Sequence, residues 1–225
     1  DVEIWNGNDK WVYEQERVNG PESKKHRTGI WFPLDGQVVA ITSKAFPKMF
    51  LSGDQEYAII SNPKAYEPQF KQYGPRDYYV LNLKTGEKKL MLENTGLTEF
   101  DLLASPSGKY ITYFKDAHWW VYNLETGKHN NLTRKIEVSF SGKIYQLEHE
   151  NWPFGVLGWT VNENEFLIYD QYDIWAIRPD GSGARRLTNG REKNLEFRLA
   201  SLGYLDHLAR NFVGFNVLIV ELEKG

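Results

Sequence analysis

The chain has 225 residues, with 27 basic and 30 acidic side chains interspersed along its length and no cysteine. A formal net charge of -3 without a basic cluster leaves no electrostatic footprint for a nucleic acid. The missing cysteines exclude disulfides, thiolate metal sites and a cysteine nucleophile together. The 8 Trp, 13 Tyr and 12 Phe lean towards β structure, where flat rings pack on a pleated surface.

Residues 1 to 28 mix aromatics with charge (WNGNDKWVYEQERVNG, then PESKKHR) and lack the basic start and apolar stretch of a signal peptide. The first residue is Asp, so an upstream segment such as an export signal is expected to have been removed. No apolar run anywhere approaches the roughly 18 residues of a membrane span.

From residue 29 an apolar-aromatic run closed by a glycine turn recurs: GIWFPLDG at 29 to 36, DYYVLNLKTG at 77 to 86, HWWVYNLETG at 118 to 127 and QYDIWAIRPDG at 171 to 181. The expected equivalences are Leu83, Leu124 and Ile177; Leu81, Tyr122 and Trp175; Val80, Val121 and Ile174. The turn glycines Gly36, Gly86, Gly127 and Gly181 recur at or above the roughly 40 to 50 residues of a four-stranded propeller blade.

Around each run the same elements follow in order. The first full unit reads KMFLS, EYAIIS, YYVLNLKTG and EKKLMLE. The second reads LTEFDLLA, a turn at SPSG, KYITYF, the tryptophan run, and KHNNLT; the third reads FGVLGWT, VNEN, EFLIYD, DIWAIRPDG and ARRLT. Ser, Pro and Gly suit the tight turns, because Pro presets φ and Gly accepts positive φ. The expected fold class is all-β: an incomplete β-propeller of four-stranded antiparallel blades, about three complete plus parts of one or two more, forming one domain over 1 to 225. Trp119, Trp120 and Trp175 are expected to pack between blades. Three stretches interrupt the pattern as loop insertions: 1 to 28, 62 to 76 and 134 to 152. The final RNFVGFNVLIVELEKG reads as β-rich, either stopping part-way through a blade or pairing with the hairpin around 30 to 42.

The motifs DVEIWN, AHWWVYNLETGKHNNLT, FGVLGWT and YDQYDIWAIRPDGSGARRLTNGR, in that order, resemble the β-propeller domain of prolyl-oligopeptidase-like serine peptidases, in particular the bacterial dipeptidyl aminopeptidase and acylaminoacyl-peptidase related proteins. The resemblance runs from about residue 1 to 198 and fades from ASLGYLDHLARNF onward. It implies a propeller that caps a C-terminal α/β-hydrolase domain carrying the serine nucleophile, with peptide as substrate and an exported, periplasmic location. No GxSxG occurs here, and Ser105, Ser107 and Ser182 fall in repeat turns, so no catalytic residue is assigned to this chain.

In related dipeptidyl peptidases, acidic side chains on the propeller hold the substrate's α-amino group through charge-assisted hydrogen bonds. Two stretches offer such acids: Glu14 and Glu16 after an aromatic pair, and Glu148 and Glu150 flanking His149 before Trp152, the second preferred because it lies in an insertion between blades. A solvated loop is the plain alternative for both. No cofactor is implied. No metal site is expected, because neighbours such as Glu148, His149 and Glu150 point to opposite sides of an extended chain. The leading reading is a non-catalytic module that gates peptide access to a hydrolase; the alternatives are a free-standing binding propeller for a protein or cell-wall partner, and an enzyme working through pocket carboxylates.

Overall fold

The computed structural model describes residues 10–12, 14, 17–18, 25–67, 69, 71, 74–142, 152–199 and 220–224. The chain divides into two compact units, Asp1–Leu102 and Leu103–Gly225. The structure is all-β, and its three four-stranded sheets are antiparallel meanders in which each strand pairs with its neighbour in sequence.

The first strands among the described residues of the first unit form a hairpin, β1 (Gly29–Phe32) and β2 (Gln37–Ala40). The first complete sheet follows: β3 (Lys48–Leu51), β4 (Tyr57–Ser61), β5 (Arg76–Asn82) and β6 (Lys88–Thr95). Ile41, Ala58, Ile60 and Leu83 form its core, with Ile30 of the hairpin and Met49 packed against them.

The second complete sheet is β7 (Leu102–Ala104), β8 (Tyr110–Lys115), β9 (His118–Asn123) and β10 (His129–Asn131). A short pair, β11 (Ser141–Gly142) and β12 (Trp152–Pro153), closes the described ends of the connector. The third sheet is β13 (Val156–Trp159), β14 (Phe166–Tyr169), β15 (Ile174–Ile177) and β16 (Ala184–Arg186). A short 3-10 turn at Arg191–Lys193 leads to β17 (Leu195–Leu199), whose partner is β18 (Val220–Lys224).

Hydrogen bonds show that these sheets are copies. In each, a hydroxyl residue opens the turn between the first two strands: Ser52, Ser105 and Thr160 donate their N–H to the carbonyl five residues on, and their side-chain oxygens accept that same residue's N–H in return. Each turn holds one residue at positive φ, Gln55, Gly108 and Glu163. Asn82 and Asn123 then build the next turn in the same way, with side-chain oxygens accepting backbone N–H groups two or three residues ahead.

Strand pairing places Ile177 opposite Phe166, as Tyr122 lies opposite Ile111. Ile177 therefore matches Tyr122 and Trp175 matches Trp120, a displacement of two residues from the sequence alignment of the third copy. The sequence alignment makes the third turn one residue longer than the second, whereas it is one residue shorter: Gly181 bonds back to Arg178, three residues earlier, and Gly127 to Asn123, four earlier.

Within the second unit the two complete sheets stack face to face. Phe114, Trp119 and Val121 of one meet Phe166, Ile168 and Ile177 of the other. Trp119 crosses Phe166 edge-on at 5.7 Å, and Tyr110 stacks on Trp159 at 5.1 Å. Trp175 packs against the same cluster, with Phe140 at 5.9 Å. Trp119 and Trp175 thus lie between sheets as expected. Trp120 points to the opposite side of β9, stacked on Tyr113 with its indole N–H on the Lys115 carbonyl. At the rim the Glu163 carboxylate accepts both the N–H and the hydroxyl of Ser107, and Asn130 donates to the Pro179 carbonyl at 3.2 Å. The far face of the third sheet packs Leu157, Leu167 and Ile174 against Phe197 and Leu199 of β17.

Candidate functional site

Of the residues expected to touch a substrate, Glu16, Glu148, His149 and Glu150 lie outside the described residues. Glu14 is exposed and accepts two bonds from the Arg17 guanidinium, at 3.1 and 2.9 Å, one helical turn away. An exposed pair of this kind contributes well under ~1 kcal/mol, so Glu14 remains chemically available. Trp152 is half-exposed in β12, where it pairs with Gly142 of β11. The connection is anchored from below: Phe154 donates its N–H to the carbonyl of fully buried Phe140 at 3.1 Å. The structure thus joins residues 140–142 to 152–154 and leaves Trp152 exposed to solvent.

The densest polar constellation among the described residues lies elsewhere, around two fully buried carboxylates, Asp170 and Asp173. They flank the two-residue turn between β14 and β15. Asp170 accepts the N–H groups of Tyr172 and Asp173 at 2.7 and 2.6 Å on one oxygen, and the Trp175 indole and Arg191 guanidinium at 3.0 and 2.9 Å on the other. Asp173 accepts the Thr188 hydroxyl and the Gly190 N–H, each at 2.6 Å, with Arg186 and the Arg191 N–H on its second oxygen. Gly190 has to be glycine, because a Cβ there would collide with the Leu195 carbonyl and lie 2.8 Å from that of Tyr172.

Two ionised groups can be buried so deeply only because cations and N–H groups fill their lone pairs. Every one of those donors belongs to the protein. The cluster is therefore spent on joining β14, β15 and the 188–191 segment, and leaves no lone pair directed at a ligand. Sequence reading placed these residues inside a motif without assigning them a role. The signal was there, in two aspartates bracketing Gln171-Tyr172 and the basic RRLTNGR run that follows.

The 62 to 76 insertion has its own internal anchor. Lys64 is buried, and its ammonium donates to the carbonyls of Gln69 and Lys71 while standing 4.6 Å from the centre of the Trp11 ring. Burial, and secondarily the neighbouring Arg76 charge, lower its pKa from the usual lysine value. Arg76 is itself buried and pairs with Glu99 at 3.0 Å. On the other side of the strand Tyr66 donates to Asp77 at 2.7 Å, which pushes the Tyr66 hydroxyl up to about 12. Among the described residues of this loop, Tyr66 is thus tied to the sheet through Asp77, and Lys64 to carbonyls of the loop itself.

No family model and no curated protein matches the chain. Solved structures with partial likeness include the tricorn protease, at TM-score 0.39 and 13% identity over 67% of this chain and 13% of that one. Dipeptidyl peptidase 4 of Porphyromonas gingivalis gives 0.43 and 8% over 65% and 26%. Acylaminoacyl peptidase of Pyrococcus horikoshii gives 0.37 and 15% over 80% and 30%. All three are described as proteases or peptidases. This chain spans less than a third of the length of each. At these scores the likeness carries no argument; the fold stands on the strand order and the repeated hydrogen bonds.

Proposed function

We propose that the chain is the non-catalytic propeller module of an exported serine peptidase of the dipeptidyl aminopeptidase or acylaminoacyl-peptidase type. In this reading the module gates and orients peptides for a hydrolase domain carried elsewhere in the natural protein. The motifs quoted above support the family. The observation that carries the role is the saturation of Asp170 and Asp173: the buried charge of the described sheets holds strands together, as in a scaffold. Recognition then falls to the insertions, where Glu148 and Glu150 with His149 and Trp152, or Glu14 and Glu16, would bind the substrate ammonium by charge-assisted hydrogen bonds.

The test uses the natural full-length protein. A fluorophosphonate probe is expected to label its nucleophile, and Glu148→Gln with Glu150→Gln is expected to raise KM for peptides with a free amino terminus about tenfold, the equivalent of ~1.4 kcal/mol, while N-acetylated peptides are unaffected. An unlabelled, inactive full-length protein overturns the peptidase reading; labelling with unchanged KM overturns the amine anchor alone.

A further inference from the structure

We draw no further inference here: the strongest candidate, the exposed apolar side of the β1–β2 hairpin at Trp31 and Val38, carries nothing because no element of the described structure shows what covers it.

Discussion

At the scale of single residues, Asp170 shows how a charge is made tolerable inside a β protein. Both of its oxygens accept, and all four donors point at it from fixed groups. Asparagine has nearly the same shape but would turn an NH2 towards one pair of donors, so shape alone cannot rescue the site. Asp170→Asn is therefore expected to destabilise the second unit nearly as much as Asp170→Ala, by ~3 kcal/mol or more, measured as a lower midpoint in urea. A near-neutral Asp170→Asn would show that the charge contributes little. The indole N–H groups of Trp119 and Trp159 present the opposite case: they are buried and lack a hydrogen-bond partner among the described residues. Ring area outweighs that unmet bond, because an aromatic side chain of this size buries roughly 150 to 250 Å².

At the scale of elements, the closing threonine is the most economical device in the chain. Thr188 accepts from the Ile174 N–H at 3.1 Å and donates to Asp173 at 2.6 Å; Thr133 accepts from the Trp119 N–H at 3.1 Å. One hydroxyl thereby satisfies a buried strand-end donor and joins the third strand to the fourth. Thr188→Val keeps the volume and removes the hydroxyl, stranding the Ile174 N–H, and is expected to cost about 1 to 3 kcal/mol. Thr188→Ser, which keeps the oxygen, is expected to recover most of this in the same denaturation experiment; equal losses in both would assign the effect to the methyl group.

The existence and order of these elements were legible from the sequence because aromatic runs, glycine turns and spacing repeat together. The register of the third copy was not. Side chains alternate with a period of two, so a slip of two residues leaves the apolar face unchanged, and Ile177 passes equally well as the mate of Leu124 or of Tyr122. The strand pairing, with Ile177 opposite Phe166, and the hydrogen bonds of the turn at Arg178 to Gly183 distinguish the two. The site was less legible still. Glu14, Glu148 and Glu150 were singled out by charge beside aromatics, whereas the groups that the described structure brings together most tightly, Asp170, Asp173, Arg186 and Arg191, are separated by a turn and a whole strand pair.

At the scale of the molecule, two compact units with separate cores predict that unfolding is not a single event. The tryptophans are divided unevenly: Trp5, Trp11 and Trp31 fall in the first unit, and Trp119, Trp120, Trp152, Trp159 and Trp175 in the second. Among the described residues the buried ones, Trp119 and Trp159, both sit between the stacked sheets of the second unit. Tryptophan emission consequently reports mainly that core, while far-UV circular dichroism reports strands in both units. Trp119→Ala empties the middle of the stack and should cost about 3 to 5 kcal/mol. If each unit is held by its own core, this substitution moves the emission transition to lower urea and leaves part of the dichroism transition where it was. If both probes move together by the same amount, the first unit depends on the second for its stability, and the hairpin β1–β2 would have to be regarded as part of one cooperative whole.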